Sequence, residues 1–339
     1  MLRQTALSFQ SSSVETCHSI SAPVMSNPIR YSKKLLFTTF NCAKAQLIPL
    51  QEVQGIQDDD LIRALTGLAG GILNNGSTCG VVIGGAISSA MIRDKELSGR
   101  WTIEDEIQLL EEIGQDVSWF EDRFGACLCR ERDDLDYQRI TVIGLMNPRK
   151  VKGCVARTGA SMAHFLEKYE VAGTRARPQI AIGEAKPCEH CARKILREIR
   201  EETGVGSERL ERVSVALDGG IGLSGGGCGA LSGALMALGL EYALDPKKTN
   251  PKQLRNIYRS MDSEFFRQAK VLVSRFIKTF GYFECSRLTG RKFQGWDDFS
   301  EFRNTSSCDA LNRFLVEETV KIMNDSVGSS VVADQTESR

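Results

Sequence analysis

Two stretches of the chain repeat one another at a fixed distance. In the second, Gly219-Gly220-Ile221 is followed nine residues on by Cys228-Gly229, and a glycine, Gly233, stands five residues after the cysteine. In the first, Gly70-Gly71-Ile72 leads in the same way to Cys79-Gly80 and to Gly84. The offset is 149 (228 − 79), and Cys42-Ala43 and Cys191-Ala192 share it. Further on, Phe120-x-x-x-Phe124-Gly125 with Cys129 matches Phe276-x-x-x-Phe280-Gly281 with Cys285, and Cys154 pairs with Cys308. Four cysteines per copy thus fall in register: Cys42, Cys79, Cys129 and Cys154, then Cys191, Cys228, Cys285 and Cys308. A repeat of this length implies two homologous units in tandem. Cys17, Cys127 and Cys188 stand outside the register.

Length and charge bound what those units do. The 339 residues suffice for two ordinary domains. Formal net charge is zero, so no general basic field exists to hold nucleic acid or an anionic membrane. The longest weakly polar runs, near 80–92 and 228–240, are too short to span a bilayer. Residues 1–35 are serine-rich, with Glu15 their only acid, and lack the apolar core of a secretory signal. They read as a disordered leader, with an organelle transit peptide as the alternative. Eleven cysteines, an odd number, do not suit a small secreted disulfide scaffold. In a cytoplasmic protein, the expected location, they point to metal or redox chemistry.

Hydrophobic spacing predicts a mostly α protein of two tandem homologous small helical bundles. Helices are expected over 58–68, 80–94, 102–124 and 154–169 in copy one, and over 191–202, 207–217, 228–242, 251–280 and 308–323 in copy two. Gly204 and Gly281 are the expected stops. Residues 139–145 are β-like. The domain boundaries read as 36–172 and 188–326, with a linker at 173–187 and a disordered tail from 327 to 339.

Four cysteines match the ligand number of a structural zinc or an iron–sulfur cluster. Their wide spacing means that the ligands converge only in the fold; the plain alternative is ordinary buried cysteine, a small hydrophobe. Cys228 leads the candidates, because a glycine loop sets it at a helix N-terminus, where free N–H groups and the dipole lower a thiol's pKa. Cys79 shares that frame. Cys42, Cys154, Cys191 and Cys308 read as helix starts, and Cys129 and Cys285 follow helix stops. Cys42, Cys129 and Cys154 are also open to being remnants of a lost site. Cys188-Glu189-His190-Cys191 is a literal Cys-x-x-Cys, suited to a dithiol pair, although Thr39 stands in its place in copy one. The haem-attachment pattern fails at Ala192. Gly220-x-Gly222-x-x-Gly225 is a literal dinucleotide-loop pattern, but copy one has Leu73 for the middle glycine and no strand–helix alternation follows.

At these residues the chain resembles the family of redox-active proteins named for a C–GCAxxG–C–C cysteine pattern. Copy two carries it throughout: Cys191, then Cys228-Gly229-Ala230-Leu231-Ser232-Gly233, then Cys285 and Cys308. Copy one is similar but divergent, with Val81 where Ala230 stands. The pattern is also similar to the iron-binding part of split-Soret cytochromes, which implies iron rather than zinc. The expected function is electron transfer or redox sensing through a cysteine-ligated iron–sulfur centre, with an unidentified redox partner protein and with the two copies forming an intramolecular pseudo-dimer or the chain a homodimer. A zinc or metal-free structural module is the alternative from another class. A thiol–disulfide oxidoreductase using Cys188, Cys191 and Cys228 is a third.

Overall fold

The computed structural model describes residues 27–132, 147–172, 186–305 and 308–336. Among them there is no strand, only two isolated antiparallel bridges, Thr78 with Leu128 and Gly227 with Glu284. Copy one opens with α1 (Pro28–Thr39) and α2 (Cys42–Val53), whose first-turn N–H groups are capped by Asn27 and Asn41. Then come α3 (Asp59–Ala64), running into a 3-10 turn at Leu65–Leu68, and α4 (Gly80–Glu96). α5 (Ile103–Phe124) starts on a capping box between Thr102 and Asp105 and stops at Gly125. α6 (Cys129–Arg132) and α7 (Pro148–Ala172) complete the copy.

Copy two repeats this order with α8 (Cys191–Thr203), α9 (Glu208–Val213), a 3-10 turn at Ser214–Leu217 and α10 (Gly229–Tyr242). After an added α11 (Pro251–Ser260) come α12 (Glu264–Phe280) and α13 (Cys285–Thr289), then an added α14 (Trp296–Asn304) and α15 (Asp309–Thr336). Gly204 and Gly281 end their helices in the left-handed conformation, as their positions predict.

Several expectations need correction. α1 occupies the end of the stretch read as a disordered leader, and α15 continues past Ser326 into the stretch read as tail. The segment 251–280 is two helices, because Met261 turns left-handed at φ 51°. Cys154 lies in the second turn of α7 rather than at its start. The β-like 139–145 and most of the 173–187 linker lie outside the described residues.

The glycine loops explain themselves through their backbone. Gly70 to Asn74 all have positive φ, between 49° and 72°, and Gly219 to Leu223 repeat this between 57° and 83°. Each is a full turn of left-handed backbone, which costs a non-glycine residue about 1–2 kcal/mol. Glycine removes that cost at two of the five positions in copy one and at three in copy two. Matched hydrogen bonds close the turns: Gly76 and Ser77 N–H to the carbonyls of Gly70 and Gly71, and Gly225 and Gly226 N–H to those of Gly219 and Gly220. Ile72 and Ile221 are fully buried, so packing helps to offset the strain. The turn reverses the chain so that the next residue but a few, the cysteine, sits at the start of a helix.

α4 is buried from Gly80 to Asp94 and α10 from Gly229 to Gly239, on every face. Each packs within its own copy on the helix of the first cysteine, α2 or α8. Each also crosses to the other copy: α10 lies on α3 and Leu65–Leu68, and α4 lies on α9 and Ser214–Leu217. The exchange is reciprocal, as in a twofold dimer. One apolar core therefore runs through both copies, from Leu47 and Ile87 to Leu231 and Phe265. Near the pseudo-axis Gly227 N–H donates to Thr78 Oγ1 at 2.8 Å, and these two residues are each other's equivalents at the repeat offset. Arg130 and Glu284 form a further ion pair between the copies.

Candidate metal centres

The glycines of the Cys-Gly-x-x-x-Gly pattern are contact points. A Cβ on Gly80 would fall on the Cys42 sulfur, and one on Gly84 would fall on the Ala43 carbonyl. In copy two a Cβ on Gly229 would stand 3.1 Å from Cys191 Cβ, and one on Gly233 would stand 2.9 Å from the Ala192 carbonyl oxygen. Spaced four apart, both glycines lie on one face of α4 or α10. They let the helix of the first cysteine press its N-terminus against that of the second. Backbone bonds bring in the third cysteine. Cys79 N–H donates to Cys127 O and Cys129 N–H to Ser77 O; Cys228 N–H donates to Phe283 O and Cys285 N–H to Gly226 O.

In copy one the fourth cysteine arrives from α7, and Cys42, Cys79, Cys129 and Cys154 line a single cavity of about 120 Å³. Phe37 and Phe40 of α1 form part of its wall, and Phe37 is exposed. Two guanidinium groups face the sulfurs: Arg132 Nη2 is 3.5 Å from Cys129 Sγ, and Arg157 Nη2 is 3.5 Å from Cys154 Sγ. Cys79 is held well below the usual thiol range. The Cys129 thiol donates to it, and Arg132, Arg157 and the Val81 N–H add to that against the effect of burial. Cys129 is pushed well above the range by the same hydrogen bond, by burial and by the charge on Cys79. Burial and Cys79 push Cys42 up to about 12. The pair Cys79/Cys129 thus keeps one proton between two sulfurs.

In copy two the four thiols also sense one another: Cys191 feels Cys285 and Cys308, Cys228 feels Cys308, and Cys285 feels Cys228 and Cys308. Arg303 hydrogen-bonds Cys308. The environment of Cys228 corrects the sequence expectation. The N–H groups of Leu231 and Ala230 do lower its pKa, but burial outweighs them and pushes it to about 11. Here a carboxylate stands behind the site. Asp218 accepts from Cys191 N–H at 2.9 Å with Oδ1 and from His190 Nδ1 at 2.5 Å with Oδ2. His190 Nε2 reaches Glu106 of copy one at 2.8 Å, and Glu106 is in turn bound by Arg193.

The remaining candidates lie elsewhere. Cys188 is half-buried beside copy two, pushed up to about 12 by burial and Asp218. Cys127 is buried behind Cys79, and Cys17 lies outside the described residues. All ten described cysteines are free thiols. Gly220, Gly222 and Gly225 all serve the left-handed turn. A Cβ on Gly222 would meet the Gly114 backbone of α5 at 2.8 Å, so the other copy occupies the space a nucleotide phosphate would need. Sequence reasoning missed Arg132 and Arg157; the recurrence of Cys-x-x-Arg at 129 and 154 carried that signal. It also set aside His190, whose partner Glu106 is distant in sequence.

A scan against protein families finds one model, described as "Putative redox-active protein (C_GCAxxG_C_C)", matching residues 40–169 and again 189–324. The chain belongs to the C_GCAxxG_C_C family. Its two matched regions are the two structural copies, so the duplication and the family pattern coincide, and both copies are helical domains of a redox-active family. No curated protein and no solved structure matches the chain. Among the described residues no helix is long and apolar enough to cross a membrane, and no three His, Cys, Asp or Glu side chains close on a single metal ion.

Proposed function

We propose that this C_GCAxxG_C_C protein carries electrons between protein partners through cysteine-ligated iron–sulfur centres, with Cys42, Cys79, Cys129 and Cys154 holding one and Cys191, Cys228, Cys285 and Cys308 the other. The observation that carries the reading is the copy-one cavity. Four thiols line it together with two arginines, Arg132 and Arg157. Room for several atoms, soft donors and nearby positive charge suit a polynuclear, anionic sulfur centre. When bound, such a centre supplies reversible one-electron chemistry. The protein's own part is to hold the thiolates, to balance their charge through Arg132, Arg157 and Arg303, and to keep water from Cys191, Cys228 and Cys285 by burial. A reducing, cytoplasmic setting goes with free thiols at all ten described cysteines.

The hydrogen bond between Cys79 and Cys129 favours a second reading, a dithiol that cycles with a disulfide. Anaerobic purification followed by an absorption spectrum and metal and sulfide analysis separates the readings. A brown protein with visible charge-transfer bands is the expected result. C228S and C79S are each expected to remove about half of that absorption, the share of one centre. A colourless protein with stoichiometric zinc would replace the proposal with a structural module, and a metal-free protein with a titratable disulfide would replace it with the dithiol.

A further inference from the structure

Polar side chains without hydrogen-bond partners recur one helical turn beyond quartet cysteines. Gln46 follows Cys42 by four residues, Thr158 follows Cys154, Ser232 follows Cys228 and Asn312 follows Cys308. Each is at most 1% exposed. None of Gln46 Nε2 and Oε1, Thr158 Oγ1, Ser232 Oγ, or Asn312 Nδ2 and Oδ1 has a partner. Buried polar atoms in folded proteins are nearly always paired, and each exception calls for a cause. Residues i and i+4 share a helix face, so Gln46 and Thr158 lie on the faces of α2 and α7 that present Cys42 and Cys154, while Ser232 and Asn312 stand in the first turn of the helices that Cys228 and Cys308 precede. Thr158 is in the wall of the copy-one cavity itself. Thr158 and Asn312 are equivalents in the two copies, so the feature has survived the divergence of the halves. It is not a general habit of these helices, since Cys79 and Cys191 have Ile83 and Ile195 at the same spacing.

We propose that Thr158 and Asn312 donate hydrogen bonds to the group that the four thiolates of their own copy hold, fixing its position and raising its reduction potential, with Gln46 and Ser232 completing the same polar layer. The proposal rests on the iron–sulfur reading. Hydrogen bonds to the sulfurs of such a centre stabilise the more negative, reduced state. They are positioning residues: the thiolates bind, and these groups settle orientation and charge.

The test uses the full chain with T158V and N312L, which keep shape and remove the polar atoms, and T158S, which restores a hydroxyl. In the metal-free protein the apolar variants should melt at the wild-type temperature or above it, because an unpaired buried group has been removed. After anaerobic reconstitution with iron and sulfide, each should show a lower midpoint potential for the centre of its own copy. Each should also lose iron to a chelator about tenfold faster or more, the usual range for residues supporting metal ligands. T158S should regain the wild-type potential. Melting that falls equally in metal-free and loaded protein would make these residues ordinary packing and overturn the proposal. So would unchanged potential and iron retention. A wild-type chain that takes up no iron would sink the reading of the quartets itself, which the spectrum of the unmutated protein shows before any variant is made.

Discussion

His190 stands between Asp218 and Glu106 with both ring nitrogens engaged. Burial works against its positive charge, but the two carboxylates outweigh burial and raise its pKa from 6.5 to about 9. A raised histidine stabilises the fold fully below its unfolded pKa and loses that contribution as pH climbs through the folded value. A shift of this size corresponds to about 3 kcal/mol. Urea unfolding of the metal-free chain should therefore show stability falling between about pH 6.5 and 9, with H190N flattening the slope; an equal slope in H190N would contradict the account. Very little of this residue-scale detail was legible in the sequence. The helix-start position of Cys228 could be read, and the direction of its pKa could not, because burial on all sides is a property of the assembled fold. The glycine density before Cys228 was legible as special backbone. That it builds a left-handed turn which Ile72, Leu73, Ile221 and Leu223 share was not, since isoleucine and leucine ordinarily avoid such angles.

At the scale of elements, the contact that matters is α8 against α10 and its copy-one equivalent, α2 against α4. Gly233 leaves no room between α10 and the Ala192 backbone. G233L should part the two helices and carry Cys191 away from Cys228. Circular dichroism should keep its helical signal, while the melting temperature falls and the iron content attributable to copy two is lost. Retained iron at wild-type stoichiometry would show that the close approach is dispensable. Helix positions were largely readable from the sequence because amphipathic spacing and glycine stops are local signals. The misses have local causes too. α1 was hidden in a serine-rich, nearly acid-free stretch, and the break at Met261 needs a left-handed methionine that no pattern announces. α14 is short, and its Trp296 and Phe299 pack into a second apolar cluster with Phe293 and Cys285, with Cys191, and with Ile107 and Leu110 of α5, the last three far from it in sequence.

For the whole molecule, the reciprocal packing of α4 and α10 means that neither copy buries its central helix unaided. Residues 188–326 produced alone should expose the face of α10 that now rests on α3. Light scattering after size exclusion should then find a dimer or larger species rather than a monomer; a stable, well-folded monomer would show that the shared core is not needed. The duplication and the pairing of cysteines were plain in the sequence, because a register of four positions is preserved within one chain. The interlocking of the copies was not, because the residues that cross between them are apolar and carry no mark of which copy they face.

The carboxylate of Glu106 comes from the first half yet braces His190 of the second, whereas the side chain of Asn41, standing where His190 would be, bonds to backbone groups of its own half. Two identical subunits are obliged to furnish their paired stations alike. A single polypeptide containing both is released from that obligation, and each half can surround its cysteine quartet differently.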